Sequence, residues 1–236
     1  MSRSLPLTAD EVSRWGLSFR VDVERARDEF LASFPKPDQN NNQQYVKLLL
    51  QDIGITGQKE FDLWMKTNHL SIEDVHSLAL RNHHWFCFCE HRFSHKIPSY
   101  FLEKKGELDQ LSYFSASFQE EGLAHEYYFR INEGEVHFME LIDVPVKGVS
   151  SQVFDLAPVG SIPVSVVKAL KGALPTHVTP PLKSSDGWVI LQLIDSKPAL
   201  LDVNLRRRLL FELGSQFLLS HTSSLTSATS QQRRAS

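Results

Sequence analysis

Apolar side chains recur at helical intervals near both ends of the chain and as short runs in its middle. Over residues 21–34, Val23, Ala26, Phe30 and Phe34 share one helical face while Glu24, Arg25, Arg27 and Asp28 stay polar, and Pro35 and Pro37 end the pattern. Before it, Thr8 and Glu11 have capping-box spacing. They predict a short helix from Ala9 to about Trp15, stopped at Gly16, within an otherwise weakly structured arm, residues 1–20. The polar tract 38–44 reads as a flexible loop. A helix then begins near Tyr45 and ends near Gly54, and Phe61, Trp64 and Met65 mark another. Ser71 and Asp74 form a second capping box, opening a long helix with Val75, Leu78 and Ala79 on one side that continues to residue 93. Past Pro198, Asp202 caps a last helix over 203–219, where Leu205, Leu209, Leu213 and Phe217 line one face beside Leu210 and Phe211. The stripes of 75–93 and 203–219 have no local partner, so they are expected to pack on each other. The tail 222–236, rich in Ser, Thr, Gln and Arg, is expected to be disordered.

The middle of the chain has a different rhythm. An apolar run at 111–118 precedes a helical pattern at 120–132, closed at Gly134, and a second short one at 136–142. A loop leads to a third helical pattern at 162–173, with Ile162, Val166 and Leu170 on one face, a stripe that reads as plain core before it reads as a ligand pocket. Pro180, Pro181, Asp186 and Gly187 then turn the chain into a strand at 188–194. The expected fold class is α+β: a helical domain from residues 21–109 and the helix of 198–221, with an α+β domain inserted over 110–197.

A length of 236 residues suits one large domain or two modest ones, and 42% apolar with 22% charged residues is ordinary for a globular protein. The formal charge of −3 argues against a general electrostatic role on nucleic acid or membrane surfaces. No apolar run is long enough to span a bilayer. The first eleven residues hold one Arg, early acids and no apolar core, so no secretory signal is read there and a cytoplasmic location is expected. The two cysteines, Cys87 and Cys89, are too close in sequence for an easy disulfide. They lie in a cluster with His83, His84, His91 and His95. On a helix His84, Cys87, His91 and His95 share a face and are possible zinc ligands, but no Cys-x-x-Cys or His-Glu-x-x-His spacing is present, and ligands more than one turn apart on a rigid helix cannot reach one ion. The competing reading packs Trp85, Phe86, Phe88 and Phe93 into a core with the histidines around them. It is preferred, and no metal or cofactor is expected.

The element order over 111–194 resembles a parvulin-type peptidyl-prolyl isomerase domain, which is FKBP-like in fold. The flanking helices, with the capped segment at Ser71 and the link from Tyr100 to Asp109, look like the split helical chaperone domain of SurA-like and PrsA-like foldases. The resemblance covers residues 43–219. It implies a cis/trans isomerase of the bond before proline, a rotation with a barrier of about 18–20 kcal/mol that breaks no covalent bond. It also implies clients that are unfolded or extended, proline-containing polypeptides, and a substrate-binding surface of Tyr113, Ser115, Ile162, Val166, Trp188 and Ile190. The family's two catalytic histidines fall at Ser115 and Val189, and its Cys or Asp position has no clear match within 143–150. No catalytic residue is therefore assigned. Two functions remain open: an isomerase-family foldase of weak activity, or a pseudo-isomerase that binds peptides as a chaperone or adaptor. The oligomeric state is left open.

Overall fold

The computed structural model describes residues 8–143, 147–175 and 177–234. The expectation for the first residues of the arm, and for 144–146 within the stretch searched for a Cys or Asp, lies outside the described residues. In chain order the helices are α1 (Ala9–Arg14), α2 (Ser18–Ala32), α3 (Asn42–Asp52), α4 (Gln58–Thr67), α5 (Ile72–Phe93), α6 (Ile97–Leu108), α7 (Glu121–Asn132), α8 (Glu140–Asp143), α9 (Val164–Leu170) and α10 (Val203–Arg234). The strands are β1 (Gln110–Phe118), β2 (Val149–Pro158), β3 (Leu182–Ser184) and β4 (Gly187–Lys197). The fold is α+β. It divides into two compact units: Ser99–Leu201, and the segments on either side of it in sequence.

In the helical unit, local chemistry sets where helices begin. Thr8 Oγ1 accepts the Glu11 N–H at 3.2 Å while the Glu11 carboxylate takes the Thr8 N–H at 2.9 Å. Ser71 and Asp74 repeat the exchange at the head of α5, at 3.1 and 2.8 Å. These bonds hold both carboxyls below their ordinary pKa. α2 starts at Ser18, before the apolar stripe, with no side-chain cap. The tract 38–44 is a short 3-10 turn running into α3.

The core of this unit is aromatic. Phe30 of α2, Phe88 of α5 and Phe217 of α10 meet with ring centroids 4.9–6.3 Å apart, and Trp85 stacks on Phe88 at 5.0 Å. Leu209, Leu210 and Leu218 of α10 are fully buried. At the crossing of α5 and α10 the small residue is Gly214: a Cβ there would stand 2.4 Å from Cys89 Sγ and 3.1 Å from the Trp85 ring. Asp52 of α3 pins the far end. Its carboxylate takes two 2.8 Å bonds from the Arg207 guanidinium and one of 2.9 Å from Asn82, and Arg207 lies over the Phe86 ring at 4.3 Å. Asp202 caps α10 through the Leu205 N–H at 2.7 Å. The helix runs on through Arg234, so the stretch expected to be disordered from Thr222 is helical to that residue. Thr222 itself is buried and donates to the Leu218 carbonyl, a local bond that lets a hydroxyl sit inside a helix.

The inserted unit is one antiparallel sheet in the order β2-β1-β4-β3. Phe114, Ala116 and Phe118 of β1 face one side with Trp188 and Ile190 of β4, under Ala124, Tyr127, Phe138 and Leu141. Tyr113, Leu191 and Leu193 face the other with Phe154, under Ile162, Val166 and Leu170. Several expectations are corrected here. The loop expected after residue 142 is largely β2, an edge strand whose mixed burial gives no clean alternation. The helical pattern at 136–142 is reduced to one turn, α8, although Val136, Phe138 and Leu141 are buried. The pattern at 162–173 shrinks to α9, because Ile162 precedes Pro163 and is held extended, with φ −94° and ψ 138°. Gly187, at φ +132°, opens β4 only because it lacks a Cβ, which would lie 2.2 Å from the Phe118 carbonyl oxygen.

Asp109 ties the incoming and outgoing segments of this unit. Its carboxylate accepts the Ala199 N–H at 2.7 Å and Lys105 Nζ at 2.9 Å, and its carbonyl accepts the Val159 N–H at 2.8 Å. The bond from Ala199, then that from Lys105, holds the carboxyl below its ordinary pKa. A depressed folded pKa makes this contribution present above the unfolded value of about 3.9 and lost as pH falls through the folded one. Asp109→Asn is expected to lower the urea midpoint at pH 6, with the gap to the parent closing below about pH 3. An equal gap at both pH values would remove the carboxylate from this role.

Gly214→Ala should cost about 1–3 kcal/mol, the range for overpacking a core. Cys89→Ala should recover part of it by removing the nearest obstructing atom, seen as coupling in a double-mutant denaturation cycle. Additive effects would show that the two positions do not press on each other.

Candidate functional site

The ladder between β1 and its neighbours decides which side chains share a surface. Ser115 lies opposite Leu191 on β4 and Gln152 on β2, and Ser117 opposite Val189 and Ser150. Directly opposed residues project to the same face. Ser115, Ser117, Ser150, Gln152 and Val189 therefore form one shelf, on the face that also carries Tyr113 and Leu191. Toward the start of β1 this face is closed by α9, with Ile162 and Leu170 buried and Val166 half-buried. Toward its end it is open: Ser117, Ser150 and Gln152 are exposed, and Val189 and Leu182 are half-buried at its margin. The result is a polar shelf running into an apolar wall.

Of the six residues expected to bind substrate, four lie on this face. Ser115 lines the shelf and Val166 belongs to the wall. Ile162 is buried core, and Tyr113 is buried and stacked on Phe154 at 4.7 Å, which raises the pKa of its hydroxyl by desolvation. Trp188 and Ile190 are corrected. They project to the opposite face with Phe118 and Ala116, because side chains alternate along a strand and Val189 and Leu191 take the shelf side. No groove can combine Trp188 with Ile162 and Val166. The shelf residues that the sequence reading does not single out are Ser117, Ser150, Gln152 and Leu182, while Val189 is named there as a histidine-aligned position but not as part of the binding surface. Alternating Ser150 and Gln152 would have been visible had 149–158 been read as a strand.

The two positions aligned with the family's histidines, Ser115 and Val189, do share a face on neighbouring strands, offset by one rung. Neither they nor the other strand side chains of the shelf are histidine, cysteine or carboxylate. Its polar groups are hydroxyls and one amide, which donate and accept hydrogen bonds without carrying charge. His125 belongs to α7 and approaches Trp188, with ring centroids 6.4 Å apart, on the opposite face. His137 and His177 are exposed. The shelf has groups to hydrogen-bond an extended backbone and apolar surface at its margin, and among the described residues its strand side chains offer a twisting amide no histidine, cysteine or carboxylate.

The His and Cys side chains of α5 have other partners. His83 stacks on Tyr45 at 4.0 Å and lies 3.5 Å from Cys87 Sγ, and burial lowers its pKa. His84 is buried with Nε2 3.2 Å from the Phe34 carbonyl, which can only accept. Burial pushes the Cys89 thiol up to about 12. Among the described residues no three His, Cys, Asp or Glu side chains are grouped to hold a metal ion.

No family model and no curated protein matches the sequence. Among solved structures, the chain is similar to the peptidylprolyl isomerase PrsA of Bacillus anthracis, at 15% identity over 88% of this chain and 97% of that one, TM-score 0.39. It is similar to the foldase protein PrsA of Lactococcus lactis, at 11% identity over 92% and 81%, TM-score 0.43. It is also similar to a SurA-like chaperone of Campylobacter jejuni, at 11% identity over 99% and 96%, TM-score 0.31.

Purified protein is expected to hold no stoichiometric zinc, and a chelator should leave its melting temperature unchanged. Near-equimolar zinc by elemental analysis, with a chelator-induced fall in melting temperature, would make ligands of His84, Cys87, His91 and His95.

Proposed function

We propose that the chain binds extended, proline-containing stretches of polypeptide as a chaperone of the foldase type, and turns the prolyl bond over far more slowly than a parvulin with both histidines. The observation that carries this reading is the pairing of Ser115 with Leu191 and of Ser117 with Val189, which puts both histidine-aligned positions on one neutral shelf.

Rate and affinity separate here for a physical reason. An isomerase must bind the twisted amide more tightly than the planar one, since equal binding of both gives affinity without acceleration. Hydroxyls of Ser115, Ser117 and Ser150 hydrogen-bond either form. A proline ring against Val189, Leu182 and Val166 gains from burying apolar surface, about 25 cal/mol per Å², and that gain does not depend on ω. The arrangement favours holding over turning.

Titration with proline-containing peptides should show saturable binding, while a protease-coupled assay should show prolyl isomerisation close to the uncatalysed rate. Val166→Asp should weaken binding about tenfold or more, with circular dichroism checking that the fold survives. Val189→His alone should not restore turnover, because position 115 still carries serine in place of the second histidine. Fast isomerisation by the unaltered protein would make the histidines dispensable and the reading wrong. A complete lack of peptide binding would also sink it.

A further inference from the structure

The outer edge of the sheet carries a second observation. β2 ends the order β2-β1-β4-β3, so one side of it has no neighbouring strand. The phase of the ladder tells which of its main-chain groups face outward. The Gln119 N–H donates to the Gly148 carbonyl at 3.3 Å, so these two oppose each other as a bonded pair. Pairing alternates from there. Ser117 with Ser150 and Ser115 with Gln152 are bonded pairs, whereas Ala116 with Ser151 and Phe114 with Val153 are not. β4 obeys the same phase: Leu191, opposite Ser115, turns its N–H and C=O away from β1 to the Thr179 hydroxyl and N–H, at 3.0 and 2.8 Å. The N–H and C=O of Ser151 and Val153 therefore point away from β1, and among the described residues no backbone group pairs with them.

The two edges of the sheet are treated differently. β3, at the other edge, is three residues long and carries Lys183. Short length and lysine are the usual means of stopping an edge from pairing. β2 has neither lysine nor proline before Pro158, and the side chain of Val153 is 43% exposed. Its open stretch ends at a bulge. There Ser112 Oγ donates to Asp155 at 2.8 Å and accepts the Leu156 N–H at 3.0 Å, and Leu156 is held at φ +49°. Residues 149–154 are thus an edge with no strand beside it among the described residues, with outward rungs at Val149, Ser151 and Val153, although on one face the Ser151 hydroxyl donates to the Leu141 carbonyl of α8.

We propose that this edge takes an extended segment of a client polypeptide as an added strand, so that main-chain bonds to Ser151 and Val153 hold the client beside the shelf. The inference rests on the peptide-binding reading above and names how the peptide is held. Alternating donors and acceptors at strand spacing are matched only by another extended backbone. Main-chain pairing tolerates many side chains, as a chaperone requires. A six-residue strand contact falls short of the ~1,000 Å² expected of a stable pair of copies, so a transient client fits better than a second copy of this chain. Proline has no N–H, so a client proline must sit where its nitrogen faces away from β2.

The probe is an eight-residue peptide of alternating valine and threonine with one central proline and a lysine at each end. Two versions carry N-methyl groups at alternate residues, in opposite phase. One phase should weaken binding at least about tenfold and the other should not, because only one set of N–H groups can face β2. Val153→Pro should cause a similar loss with the melting temperature nearly unchanged, since that N–H bonds nothing in β1. Val153→Lys, on an exposed side chain, gives the same readout without backbone strain. If the unmodified peptide binds and all these changes leave its affinity intact, the edge proposal fails while the shelf reading stands. If no peptide binds, both fail. If sedimentation shows a dimer that Val153→Pro abolishes, the occupant is a second copy and the client assignment is overturned.

Discussion

The helical unit depends on one close approach, that of α10 to α5 at Gly214. A methyl group at that position would overlap Cys89 Sγ, so the two helices can come this near only where one of them has no side chain. That approach lets Leu209, Leu210 and Leu218 disappear from solvent and brings Phe217 into the ring cluster of Phe30 and Phe88. The partners come from far apart in sequence, so the contact must recover the entropy of closing a long loop, which grows only as the logarithm of loop length. Packing of this density, with interlocking rings and no local alternative for either stripe, is what makes that closure favourable.

Features specified within a few residues were legible in the sequence. Both capping boxes, the Asp202 cap and the facing stripes of α5 and α10 follow from spacing alone. What was not legible needed partners. β2 reads as loop because an edge strand is wet on more than one side, and Ser150, Ser151 and Gln152 carry no hydrophobic alternation. Ile162 has helical spacing to Val166 and Leu170, but Pro163 fixes the chain before it as extended. The split of the candidate site follows from register. Trp188 and Val189 must face opposite ways on any strand, yet which of them joins Ser115 is decided by the pairing of Ser117 with Val189, a long-range fact.

That register also defines the chemistry. A shelf of hydroxyls and an amide beside an aliphatic margin is suited to holding a backbone, because its donors and acceptors do not change with pH in the range where histidine would titrate. The same strands present main-chain groups at the β2 edge, so side-chain and backbone recognition would lie next to each other on one sheet. If the surface takes peptides as proposed, selectivity would come from conformation, since a folded chain does not expose the backbone groups that an extended one offers.

The knot at Asp109 has a consequence for how such a chain could arise. Its carboxylate joins the residue just before β1 to Ala199, just after β4, at 2.7 Å. A sheet whose first strand is tied to the residues after its last in this way closes on itself, and such a stretch can be carried as an insertion in a longer chain. The sequence on either side of it, α5 before and α10 after, can then keep its own packing while the sheet between them varies.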